Sequence, residues 1–142
     1  MPDLPAPPRP QGRYQPALRH AGTLVTAGMT PRVDGQLVHV GKVGREVSLE
    51  DAVRAADRAA RNAVAAAAVA AGSLADIERA LRLTVYVNAT EDFRRHSEVA
   101  DGASAALLDV LGEERAAVVR SAVGVASLPG GACVEVELTC AC

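Results

Sequence analysis

The sequence predicts a single α+β domain, with two helices packed on one face of a mixed sheet and elements in the order β-β-α-β-α-β-β. Three observations carry that reading. An alanine-rich segment at 48–71 has a helical cap at each end, a second helical segment runs from 93 to 111, and short β-prone runs flank both. The length of 142 residues suits one domain with a real core.

Residues 1–12 read as a Pro-rich extended arm and 13–142 as the domain itself. Strands are expected at 14–20 and 23–27 around Ala21-Gly22, with Gly28-Met29-Thr30-Pro31 ending the second. Asp34-Gly35 is a hairpin-turn signal between short β-prone pieces, and a loop follows at 41–44. Ser48 is placed to cap the clearest helix, with Glu50 and Asp51 in its first turn and Gly72 at its end. Ala52, Ala56, Ala59, Ala60, Ala63, Val64 and Ala67 form a small-residue stripe that lets this helix lie close to a sheet. Ser73-x-x-Asp76 is a short capped turn before a strand at 81–88. Thr90-Glu91-Asp92 is expected to cap the second helix, Gly112 to end it, and 113–118 to form a loop.

The last two strands hold the chemistry. Residues 119–126 and 133–139 read as strands joined at Pro129-Gly130-Gly131, a turn signal because Pro presets φ and Gly accepts positive φ. Read as a hairpin with Pro129 and Gly130 at its centre, it sets Gly124 across from Glu135 and Ala122 across from Glu137. Arg120 and both glutamates then share one face, beside a hollow left by Ala122 and Gly124, while the valines form plain core. An odd-length loop would flip one strand and separate the charges. The Arg fork suits a carboxylate held by two parallel hydrogen bonds, and a nearby Glu can deprotonate a water. An Arg–Glu pair on a wet sheet face fits the same pattern equally well.

Composition narrows the classes. With a net charge of −2, no Trp and 2% aromatics, the chain lacks the basic groove and stacking platforms of single-strand nucleic-acid readers. Cys133, Cys140 and Cys142 are an odd cluster rather than a disulfide framework, and they lack partners at zinc-ligand spacing. No uncharged apolar stretch is long enough for a membrane span, so a soluble, cytoplasmic chain is expected. His20, His39 and His96 are dispersed, and of these His96 on the second helix could reach a cleft. Alternating valines in so apolar a chain favour covering the second sheet face by oligomerisation.

Taken together and in order, the motifs resemble the Rid (YjgF) family of reactive-intermediate deaminases. They are Arg120-Ser121, Leu128-Pro129, Val134-Glu135-Val136-Glu137, Gly12-x-Tyr14, Ala21-Gly22-x-Leu24-Val25-x-x-Gly28, Leu83-Thr84-Val85-Tyr86-Val87 and Asp92-Phe93, spanning nearly all of 12–140. The added loop at 38–47 looks like that of a less characterised branch. The resemblance implies a chorismate-mutase-like fold and a homotrimer with clefts between subunits. It implies hydrolysis of carboxylate-bearing 2-imino or enamine acids to 2-keto acids and ammonia, with no metal or organic cofactor. Arg120 would hold the substrate carboxylate, Glu135 would position water, Tyr14 would wall the cleft and the Gly28 backbone would line it. The family's usual Ser, Asn and Cys are replaced by Ala27, Ser97 and Ala122, each removing or shortening a polar group at the substrate site. That leaves room for a substrate larger or more apolar than aminoacrylate. A condensation, cyclisation or tautomerisation of an imine or enol, or a non-enzymatic binding trimer, are the competing readings.

Overall fold

The computed structural model describes residues 4–142. Two short strands, β1 (Ala17–His20) and β2 (Thr23–Thr26), are followed by the miniature hairpin β3 (Arg32–Val33) and β4 (Gln36–Leu37). Helix α1 (Leu49–Ala71) leads to β5 (Arg79–Asn88), then α2 (His96–Leu111), the single turn α3 (Glu113–Ala116), β6 (Val119–Val125) and β7 (Val134–Ala141). Apart from α3, where a loop was expected, this is the expected order, and the β3–β4 hairpin forms at the Asp34-Gly35 turn signal.

Helix α1 forms for the reasons its sequence gives. Ser48 Oγ accepts a hydrogen bond from the Asp51 amide at 3.1 Å, and Gly72 takes the positive φ of 111° that ends the helix. Its alanines are buried against the sheet and α2. The two helices come close together at Gly102, where a methyl group would lie 2.1 Å from the Val53 carbonyl oxygen. Asp34 and Gly35 both adopt positive φ, 50° and 81°, as a tight primed hairpin turn requires. The second helix begins at His96 rather than at 93. Residues 90–93 close a separate turn through the Phe93 amide and the Thr90 carbonyl at 3.1 Å, and Phe93 packs on the core.

The expected β6–β7 hairpin does not form. The five-stranded sheet runs β1-β2-β7-β5-β6, so β6 and β7 flank β5 on opposite sides. β6 runs parallel to β5 with α2 as the crossover, whereas β7 is antiparallel to both β5 and β2. The Pro-Gly-Gly turn is present, with φ of 69° at Gly130 and 77° at Gly131. It carries the chain across the end of β5 instead of folding it back. Gly41 N donates to Gly131 O at 2.8 Å and anchors that crossing. A local turn signal reports a change of direction, and the neighbour acquired afterwards is decided by the β5-α2-β6 unit.

The pairing settles the faces. Leu83, Val85 and Val87 of β5 stand beside Arg120, Ala122 and Gly124 on one side and Leu138, Val136 and Val134 on the other. That is the helix-covered face. Thr84 and Tyr86 share the open face with Ser121 and Val123 of β6 and with Glu137 and Glu135 of β7. Exposed apolar side chains also lie there: Leu18, Val25, Val119 and Val123 are 59%, 44%, 59% and 42% exposed. Thus Val119 and Val123 are not core, and Arg120 does not share a face with Glu135 and Glu137.

Cys133 and Cys140 are buried and unpaired, and burial pushes their thiols up to about 11 and about 12. Among the described residues no helix is long and apolar enough to cross a membrane.

Candidate functional site

The residues of interest fall into two groups on opposite faces of the sheet. The first surrounds Arg120, on the edge strand β6 beneath α2. Its Nη1 donates to Asp101 Oδ1 at 2.8 Å and Ser104 Oγ at 2.9 Å. Nη2 donates to Ser97 Oγ at 2.8 Å and Ser97 O at 3.3 Å. Ser97, Asp101 and Ser104 are spaced four and three apart, so one helix face presents all three. That spacing is the signal by which Asp101 and Ser104 could have been found.

Ala122 and Gly124 continue the same face, and Ala122 packs against the core. A methyl at Gly124 would lie 2.7 Å from His96 Nε2, so the imidazole occupies the space a side chain would take. The Phe93 and His96 rings meet edge-on at 5.2 Å. Together with Thr90 and Val125 they line a hollow of about 330 Å³.

The second group gathers around Glu135, on the open face. A methyl at Gly28 would lie 2.6 Å from both Glu135 Cδ and Oε2, so only glycine leaves room for that carboxylate. Gly28 and Tyr14 line a small cavity of about 30 Å³. Ala27, just before it, is tied by its amide to Pro16 O at 2.8 Å and is half-buried. Burial, and secondly the charge of Glu137, push the Glu135 carboxyl above its ordinary value of 4.5. Glu137 accepts a hydrogen bond from Tyr86 Oη, and that bond raises the tyrosine's own pKa.

Arg120, Ser97 and Ala122 are thus brought together, as are Glu135, Gly28, Tyr14 and Ala27. Among the described residues neither Glu135 nor Glu137 bonds to Arg120. The first half is a guanidinium held in place by one face of α2. The second is a carboxyl with raised proton affinity beside bare backbone.

The family model described as "YjgF/chorismate mutase-like, putative endoribonuclease" matches residues 2–129. The chain belongs to the YjgF family. One relative of this YjgF-family chain, Protein TCP17 of Trypanosoma cruzi, is 36% identical over 134 residues, covering 94% of this chain and 84% of that protein. Among solved structures, protein Atu1372 of Agrobacterium tumefaciens, of unknown function, superposes with a TM-score of 0.90 at 34% identity, covering 97% of this chain and 84% of that one. Escherichia coli TdcF with bound serine superposes with a TM-score of 0.67 at 21% identity over 100% of this chain and 98% of its own, a likeness of fold. The mixed sheet with two main helices is therefore the chorismate-mutase-like fold expected of a Rid (YjgF) chain.

Proposed function

We propose that this chain hydrolyses reactive 2-imino and enamine acids to 2-keto acids and ammonia, in clefts between the subunits of a cytoplasmic homotrimer. The observation that carries the reading is the half-buried Arg120 fork, oriented by Ser97, Ser104 and Asp101 on one face of α2. A substrate carboxylate takes the place of Asp101, whose side chain is 68% exposed and so gives way at little cost. The serine bound by TdcF supports a small carboxylate-bearing ligand.

Because Arg120 and Glu135 lie on opposite faces of one sheet, a second copy brings its Glu135 group to the first copy's Arg120. Glu135 removes a proton from water as the oxygen bonds to the C=N carbon, and the nitrogen takes up a proton. The carbinolamine hydroxyl then gives its proton through Glu135 to the nitrogen, the C=O bond forms as the C–N bond breaks, and ammonia and the keto acid leave. Glu135 has the raised proton affinity such shuttling needs. An imine is already electrophilic, so positioning supplies most of the acceleration. Tyr14, Gly28 and Ala27 wall the Glu135 side, and Ala122 and Ser97 the Arg120 side. A ribonuclease reading has less support, since a net charge of −2 and 2% aromatics suit RNA poorly.

Complementation tests both chemistry and assembly. Arg120→Ala and Glu135→Gln are each expected to lose at least 100-fold in keto-acid formation, on the order of a removed clamp or base. Co-refolded one to one, the two inactive variants are expected to regain about a quarter of wild-type activity, since shared sites then include pairs with both native residues. No recovery would remove the shared cleft, and an unchanged rate in Arg120→Ala would remove the clamp.

A second reading rests on the apolar wall of Ala27, Ala122 and Gly124: condensation, cyclisation or tautomerisation of a bulkier imine or enol. It predicts Arg120-dependent binding of such carboxylates without ammonia release.

A further inference from the structure

A second hollow, of about 380 Å³, lies between the Pro-rich arm and the outer side of α1, and the β3–β4 turn closes it. Its charged lining is Arg9, Arg32 and Arg58 against the one carboxylate of Asp34. Among the described residues no carboxylate pairs with any of these guanidiniums. Arg32 Nη1 donates to Gly35 O at 2.8 Å and Arg58 Nε to Arg32 O at 2.9 Å, both backbone oxygens. Arg32 Nε is buried without a hydrogen-bond partner, an arrangement that is unfavourable unless something accepts from it.

The frame around these cations is fixed. Asn62, 1% exposed on α1, donates from Nδ2 to Thr30 O at 3.0 Å and Arg32 O at 3.1 Å. With Arg58 Nε it holds the Arg32 backbone against the helix. The hollow has the size of a small-molecule site, roughly 300–1,000 Å³ in most proteins. It also adjoins the Tyr14–Gly28 cavity, with Pro8, Arg9, Gln11 and Arg32 lining both.

We propose that this hollow binds the phosphate group of a small phosphorylated molecule. A phosphate monoester carries the two negative charges that match three guanidiniums less one carboxylate, and its oxygens accept forked N–H pairs. Binding stands on these contacts alone, and only its link to turnover rests on the deaminase reading.

The test is calorimetric titration of the full chain with inorganic phosphate and with glycerol 3-phosphate, which lacks a carboxylate. Sodium chloride at matched ionic strength is the control. Saturable binding of both phosphates is expected in wild type, weakened at least tenfold in Arg58→Gln and in Arg9→Gln. Arg9 sits on the arm outside the core, so its variant keeps the fold. Heats no larger than those of chloride, or unchanged affinity in both variants, would overturn the site. Turnover then identifies the phosphate's source. An altered rate on a small unphosphorylated imine marks a separate effector, and competition only against a phosphorylated imine marks the substrate's own tail. Either supports the site. Phosphate binding without any deaminase activity would overturn the deaminase reading and leave this one standing.

Discussion

At Gly28 the absent side chain makes room for Glu135, because a Cβ would overlap its carboxyl at 2.6 Å. Gly28→Ala is therefore expected to turn Glu135 aside and lower kcat about 10- to 100-fold, the usual effect of misplacing a catalytic group by about an ångström. Circular dichroism should stay unchanged. The Glu135 carboxyl also sets two pH dependences. Its pKa is raised in the fold, so between 4.5 and that raised value the native chain binds more protons than the unfolded one. Stability then falls as pH rises through that window, and the penalty is complete above it. Glu135→Gln should raise Tm above that window and leave it unchanged well below pH 4.5. In activity, the acidic limb of the kcat/KM profile should lie above 4.5 and disappear in the same variant. The roles proposed for Arg120 and Glu135 rest on the strand pattern and the family resemblance. Their separation onto two faces was not legible, since alternation within a strand leaves its partner undetermined.

Among the elements, α1 was the most legible. Ser48, the acidic first turn, the alanine stripe and Gly72 are local signals, and local physics decides a capped helix. Helix α2 was legible at its end and not at its start, because the turn at 90–93 is set by Phe93 reaching the core. The helix pair supplies a sharp prediction at Gly102, where the Val53 carbonyl leaves no space for a methyl. Gly102→Ala gains about 1 kcal/mol of helix propensity. It must nonetheless drive α1 and α2 away from each other, a strain of about 1–3 kcal/mol or more. The net result should be a Tm lower by about 5 °C in calorimetry. A rise in Tm would show that the helices separate freely.

For the whole molecule, the open sheet face carries exposed Leu18, Val25, Val119 and Val123 around a polar centre of Glu135, Glu137 and Tyr86. Such a face suits burial against further copies of the chain. Sedimentation should give a trimer in the wild type. Val119→Glu with Val123→Glu should give folded monomers with activity reduced at least 100-fold, because Arg120 and Glu135 would then have no common cleft. Folded monomers with full activity would place the whole reaction within one subunit. The α+β class and the element order could be read from the sequence, whereas the sheet order could not. The turn at Pro129-Gly130-Gly131 looks the same whether it closes a hairpin or carries the chain past β5.

That crossing has a consequence for how the molecule comes into being. β7 is the seam between β2 and β5, so before it emerges from the ribosome β1–β2 and β5–β6 are two separate ribbons with nothing between them. Two-stranded ribbons are marginal in water, and α1 has no completed sheet on which to lay its alanines. Synthesis up to Gly131 thus leaves the sheet in two pieces, and β7 joins them when it enters between β2 and β5. Folding of this chain should therefore be late and all-or-none, governed by contacts between its two ends.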